Sequence, residues 1–223
     1  MHRPRILQVF SRYLEYGGEE GSVFRIGDAL QEECDVEYFL GSTEDLLQRD
    51  AYTRVFAPFR AYHNFPVARR LRRYQEVGRF DFWLVHNVLP GLSPSIYKTA
   101  FSLGVPLIHY LHNYRLGCAN GFFLNHGSPC QRCIRGNFWP AFATACWKNN
   151  RWISGYMGLI LRRIRQLDLF PKTLAWIAIS DAQKQKHVEM GIPADRIHVV
   201  HHFYETQAPP PIPSPYGDYL FPV

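Results

Sequence analysis

No apolar run in this sequence approaches the roughly 20 residues needed to span a bilayer, so no membrane-spanning helix is expected. The basic start, MHRPRILQVF, has too short an apolar stretch for a signal-peptide core and runs straight into a loop; no secretory leader is expected. There is no G-x-G-x-x-G and no P-loop G-K-[ST], which counts against a Rossmann-type oxidoreductase and an ATP-binding P-loop. Internal repeats are absent, which removes the solenoid architectures. Basic residues interleaved with aromatics on one platform are not evident either, so nucleic acid is not an expected partner.

What is present suits a globular α/β protein. The chain has 223 residues, enough for one large domain or two small ones. Apolar residues make up 47% and charged residues 20%, ordinary proportions for a soluble fold. A net charge of +6 and an isoelectric point near 9.1 favour acidic partners such as phosphates, nucleic acid or an anionic membrane face, without choosing among them. The expected location is cytoplasmic, peripheral at the inner membrane face. There, five cysteines point to metal or free thiols more than to disulfides.

Strand-like and helix-like segments alternate. Arg5 to Phe10 (RILQVF) reads as a first strand, followed by the loop Tyr16-Gly17-Gly18-Glu19-Glu20-Gly21. Val23, Ile26 and Leu30 recur at helical spacing within Ser22 to Glu32. Val36 to Leu40 is a second strand, and residues 41 to 60 give no clear pattern. Phe65 to Val77 reads as a helix whose Arg69, Arg70, Arg72 and Arg73 form a basic face. Phe82 to His86 is a third strand, running into Asn87. Ser93 to Leu103 is a helix, with Ser93 as N-cap and Gly104 as stop. Val105 to Leu111 is a fourth strand, Arg151 to Leu167 a helix, and Leu174 to Ile179 a fifth strand. Ser180 caps a helix to Met190, Gly191 ends it, and Ile197 to Val200 is a sixth strand. Such alternation implies a mostly parallel sheet covered by helices. Ala208 to Pro215 (APPPIPSP) is a stiff linker, and Tyr219 to Val223 looks like the opening of a further strand. The expected division is a domain over 1–207 with an insert at 112–146, a linker at 208–216, and the start of a second domain at 217–223.

Three places carry candidate chemistry. Gly17 and Gly18 let a ligand approach the backbone, and the helix that follows aims free N–H groups at it, an arrangement suited to phosphate or carboxylate. A tight turn needing glycine at positive φ is the alternative. His112, followed by Asn113, Tyr114 and Arg115, stands at the carboxyl end of the fourth strand, where ligands bind in such sheets. His86-Asn87 ends its neighbour in the same way, so both strand ends would line one crevice. An imidazole there can donate a hydrogen bond or act as acid or base.

Third, Cys118, Cys130, Cys133 and Cys146 follow a C-x11-C-x2-C-x12-C spacing. Four thiolates suit a structural zinc; an iron–sulfur cluster, a redox C-x-x-C pair and unligated thiols are the alternatives, and His126 offers a replacement ligand. The metal is the favoured reading. The arginine helix is either a solvated face or a contact for anionic lipid headgroups. Trp152, Met157 and Ile160 with Arg162, Arg163 and Arg165 would make a second membrane-facing helix, unless core packing accounts for that stripe.

Taken together, these segments resemble glycosyltransferase family 4, of the two-domain GT-B fold. RILQVF and YGGEEGSVFRIGDAL resemble its first strand, Gly-Gly-x-Glu loop and helix, and DFWLVHN its third strand. VPLIHYLHNYRLGC with the later cysteines resembles a subset with a cysteine insert. IAISDAQKQKHVEMGIPADRIHVVHHFYE resembles its closing segment, with His202 where the family usually reads Asn. The resemblance implies a Rossmann-like N-terminal half that holds the acceptor. It also implies transfer of a sugar, with retention, from a UDP- or GDP-sugar to a hydroxyl of a lipid-linked or polysaccharide acceptor in cell-surface glycan synthesis. It assigns His112 to the transferring sugar, and Gly17 and Gly18 to the donor phosphates or the acceptor; Glu19, His86, Asn87, Asn113 and Arg115 join them as expected binding residues. A C-terminal domain with a glutamate pair (E-x7-E) would hold most of the donor, so this half is expected to be inactive alone. A metal-stabilised binding module without enzymatic activity is the other reading.

Overall fold

The computed structural model describes residues 3–12, 17–42, 51–89 and 91–203. The expected linker and second-domain start lie outside the described residues, as does Tyr16. The chain runs β1 (Arg5–Arg12), α1 (Gly18–Leu30), β2 (Asp35–Ser42), α2 (Ala51–Tyr62), α3 (Phe65–Gly78), β3 (Phe82–Val85), α4 (Ser95–Leu103) and β4 (Leu107–Tyr110). A short hairpin follows, β5 (Leu124–Asn125) and β6 (Ser128–Pro129), then α5 (Trp139–Thr144), α6 (Arg151–Gln166), α7 (Leu169–Lys172), β7 (Ala175–Ala178), α8 (Asp181–Glu189) and β8 (Ile197–Val199).

Six strands form one parallel sheet in the order β2-β1-β3-β4-β7-β8. The chain steps one way from β1 to β2 and then returns past β1 to β3. This reversal is the switch point at which a crevice opens outside the carboxyl ends of the strands. The fold is Rossmann-like, as expected.

Side-chain alternation divides the core. Leu7, Val9, Trp83, Val85, Leu107, Trp176 and Ala178 face one side, where Leu71 of α3, Ile96 of α4 and Met157, Ile160 and Ile164 of α6 cover them. Ile6, Leu84 and Tyr110 face the other side beneath Ile26 of α1. Trp83 and Trp176 are both fully buried, and full burial of each large apolar side chain contributes about 1.5–3 kcal/mol.

Caps set several helix boundaries. The Asn64 side chain accepts from the Val67 amide at α3, Asn150 from Trp152 and Ile153 at α6, and Ser180 from Gln183 at α8. Gly104 takes the expected left-handed stop (φ 65°). Two starts differ from expectation. Helix α1 begins at Gly18, ahead of Ser22, because its first turn is built of glycine and glutamate and carries no apolar signal. Helix α4 begins at Ser95, since Ser93 sits at φ 67° and its hydroxyl accepts from the Asn64 amide. Helix α2 went unrecognised because Pro58 lies inside it and proline normally ends a helix.

The expected membrane-facing stripe of α6 needs correcting. Met157 and Ile160 are buried in the core, and Arg165 donates to the Ile134 carbonyl. Trp152 alone of the apolar trio points outward, joined by Leu159. Helix α5 lies close against α6 because Gly158 carries no side chain; a Cβ there would fall 2.8 Å from Cβ of Phe138. On α3 the four arginines are exposed as expected, although Arg70 packs over the Phe39 ring and Arg72 donates to Ser102.

Candidate functional site

The crevice is built from three strand ends. At the end of β1, Gly17 caps α1 with extended backbone (φ −135°). A Cβ on Gly17 or Gly18 would meet nothing within 4 Å. Neither a left-handed turn nor packing therefore requires glycine here, and both residues leave open surface at the helix N-terminus, where first-turn N–H groups lack helical partners.

Gly18, Glu19, Ser22 and Arg25 of α1 line one concave surface together with His112, His202 and Phe203. Glutamate and arginine on one surface make it unlike a plain anion site. It offers both an acceptor and a donor, the pairing that a sugar hydroxyl can satisfy. The neighbouring Glu20 is buried instead and accepts from Nε of Arg12 at 2.6 Å.

The ends of β3 and β4 supply the histidines. His86 is fully buried, and its Nδ1 lies 2.9 Å from Nε2 of His112. The Tyr110 ring packs 4.7 Å from that of His112 and 5.6 Å from that of His86. Asn87 closes the strand end, its carbonyl accepting from Ser11 and its side-chain oxygen from Leu89. The Asn113 side chain accepts from the Arg115 amide. The Arg115 guanidinium turns toward the cysteine segment, bonds the Ala119 and Asn120 carbonyls, and lies over the Trp147 ring. His86, Asn87, Asn113 and Arg115 border a narrow cavity behind His112. Of the expected residues, Gly18, Glu19 and His112 thus face the open crevice, Gly17 borders it, and the other four lie behind.

Sequence reading missed Ser22 and Arg25 as site residues. Both follow the glycine loop at three-residue spacing, which places them on one helical face. It also missed Gln8, whose polarity within the apolar RILQVF run was the available signal.

Burial controls the protonation of this cluster. Loss of hydration pushes His112 down to about 3, helped by nearby His109 and His202. Fully buried His86 is likewise held well below its ordinary range. A separate buried pair sits deeper, where Tyr97 Oη lies 3.0 Å from His109 Nε2 and desolvation pushes His109 down to about 3.

Cys118, Cys130, Cys133 and Cys146 gather around one small cavity with Ala119, Phe123 and Thr144, and none is in a disulfide. Burial and the neighbouring thiols push Cys133 up to about 12. Among the described residues, however, no three His, Cys, Asp or Glu side chains are arranged to hold a metal ion. His126 takes no part: its Nε2 lies 2.9 Å from the Thr144 carbonyl, and it forms the turn of the β5–β6 hairpin with Gly127, both at positive φ.

The parallel sheet and its switch-point crevice define an α/β domain with an open polar surface at its strand ends. The chain belongs to Glycosyltransferase Family 4, which it matches over residues 16–208. No curated protein matches it. Among solved structures it is similar to UDP-GlcNAc 2-epimerase from Neisseria meningitidis bound to UDP-GlcNAc, at 13% identity and TM-score 0.46, covering 87% of this chain and 45% of that one. It is also similar to Anabaena Alr3699/HepE in complex with UDP, at 14% identity and TM-score 0.47, covering 90% and 44%. The chain thus spans less than half the length of either protein. Among the described residues, no helix is long and apolar enough to cross a membrane.

The buried histidines set a pH dependence. Unfolded histidine titrates near 6.5, whereas His109 and His112 stay neutral in the fold to about 3. Above about pH 6.5 both states are neutral and nothing is lost. Below it the unfolded chain takes up protons that the folded chain refuses, so stability falls toward pH 3, by up to about 1.4 kcal/mol per pH unit for each such histidine. Urea midpoints at pH 7.5 and 5.5 are expected to differ, the lower pH being less stable. Equal midpoints would mean that these histidines titrate normally in the fold.

Proposed function

We propose that this chain is the acceptor-side half of a retaining glycosyltransferase that moves a sugar from a UDP- or GDP-sugar to an acceptor hydroxyl. The observation that carries this reading is the crevice itself: a family-matched segment that brings an open helix N-terminus and His112 to the same surface. In the reaction, the acceptor oxygen bonds to the anomeric carbon. The bond from that carbon to the diphosphate oxygen breaks, its electron pair leaves with the nucleoside diphosphate, and the acceptor hydroxyl's proton passes to that departing oxygen. His112 contacts the transferring sugar, Gly17 and Gly18 allow close approach of phosphate or acceptor, and Glu19 with Arg25 holds hydroxyls. A second domain carrying E-x7-E completes the cleft, because both reactants must be held together before they react. The half described is inactive alone. In the full-length protein with a nucleotide-sugar and acceptor, His112→Ala is expected to lower kcat by about 10²-fold, as loss of a preorganised donor does, with folding retained. Unchanged turnover would remove His112 from the site.

The acceptor is proposed to be a lipid-linked or polysaccharide chain made at the inner membrane face. Trp139 and Trp152 are 68% and 73% exposed on a groove between α5 and α6 that Arg135 and Arg162 also line. Tryptophan beside cationic side chains suits a bilayer interface with anionic headgroups. The protein is expected to sediment with vesicles containing anionic lipid, and Trp139→Ala with Trp152→Ala to weaken this. Equal behaviour with neutral and anionic vesicles would end the membrane reading.

A structural zinc held by Cys118, Cys130, Cys133 and Cys146 is proposed for the insert. Its support is that four thiols from separated positions share one cavity; binding would require them to draw in to about 2.3 Å from the metal. Purified protein is expected to carry about one zinc per chain, released as the four thiols are titrated. Metal-free protein with a folded insert would leave four plain thiols.

A further inference from the structure

His112 does not stand alone, because a buried chain of hydrogen bonds runs behind it to β1. The chain begins at Gln8, which is fully buried beneath α1. Two backbone groups fix how its amide is turned. The Val23 carbonyl can only accept, and the Gly27 amide can only donate. The amide is satisfied when its nitrogen faces Val23 at 3.3 Å and its oxygen accepts from Gly27 at 3.1 Å. Gly27 makes this approach possible, since a Cβ there would fall 2.6 Å from the end of the Gln8 side chain.

In that orientation the Gln8 nitrogen also lies 2.7 Å from Nε2 of His86. His86 Nε2 therefore accepts. A neutral imidazole carries one hydrogen, and in His86 it must then sit on Nδ1. That atom lies 2.9 Å from Nε2 of His112, so His86 donates and His112 accepts. The hydrogen of a neutral His112 is left on Nδ1. Burial keeps both rings neutral, and among the described residues His112 has no further hydrogen-bond partner.

We propose that Gln8 and His86 are positioning residues that hold His112 in the Nδ1–H tautomer, so that it meets the ligand as a hydrogen-bond donor and not as a base. The donor is matched to an oxygen acceptor, a sugar hydroxyl or a phosphate oxygen of the nucleotide-sugar. That last step rests on the glycosyltransferase reading; the tautomer itself does not. Direction enters the chain at the backbone of α1 and passes through two side chains, and α1 also supplies the opposite wall of the crevice. Closing the crevice and setting its histidine are thus tasks of one helix.

Nitrogen-15 NMR of histidine-labelled protein tests this in the whole chain without ligand, since protonated and bare ring nitrogens differ widely in shift. The expected result is His112 protonated on Nδ1 and bare on Nε2, with the same pattern in His86, unchanged from pH 7.5 to 5.5. In Gln8→Leu, which removes the donor, both rings are expected to become tautomer mixtures. A hydrogen on Nε2 of His112 in the unaltered protein would overturn the proposal, as would an unchanged pattern in Gln8→Leu. Should that variant fail to fold, the spectrum of the unaltered protein decides alone. The predicted tautomer together with a full-length protein, second domain included, that shows no transferase activity would count against the function and leave this inference standing. A reversed tautomer in an active enzyme would do the opposite.

Discussion

The position of β1 between β2 and β3 is the constraint on which the candidate site depends. Its register with β3 pairs Val9 with Val85, which carries the Ser11 amide to the Asn87 carbonyl. The two strand ends are thereby locked side by side. Gln8 of β1 and His86 beyond β3 then share one face of the sheet, with His112 one strand further along. The reversal of chain direction leaves the space above these ends open, because α1 departs toward β2 while the later connections depart the other way. A ligand crevice follows from connectivity before any side chain is considered.

That constraint places polar groups deep in an apolar layer, and the structure satisfies them. An unbonded buried polar group costs on the order of 1–3 kcal/mol, so Gln8, His86 and Ser11 persist only with partners. Gln8 has α1 and His86, His86 also has His112, and Ser11 accepts from the Gly91 amide. The chain stabilises the strand ends and orients the ring that faces the crevice. On the other sheet face His109 does similar structural work with Tyr97 and stacks on Trp176, away from the crevice.

The cysteine segment between β4 and α6 extends this scaffold outward. Arg115 spans from the end of β4 to the Ala119 and Asn120 carbonyls and the Trp147 ring, while Arg165 of α6 reaches the Ile134 carbonyl. These contacts hold the cysteine loop against the domain from two sides. They also explain why Arg115, which in sequence looks like part of the crevice, is committed to the cysteine segment.

Much of the fold was legible because parallel strands buried on both faces read as short apolar runs. RILQVF, FWLV, LIHY and AWIA all stand out, as does the cap Ser180. The glycine loop, His112 and the cysteine spacing were legible because each is a local pattern. Three-dimensional packing decided the rest. Spacing could not say that Met157 and Ile160 point inward, since a helix presents an apolar stripe to a core and to a membrane alike. Nor could it say that His86 stands behind His112, that Glu20 is buried against Arg12, or that His126 bonds Thr144. The residue types and their order along the chain determined which strands form and which chemistry stands at their ends. Only the tertiary structure decided which of those groups face the crevice and which support it, because that depends on neighbours brought together from positions as distant in the chain as Gly18 and Phe203.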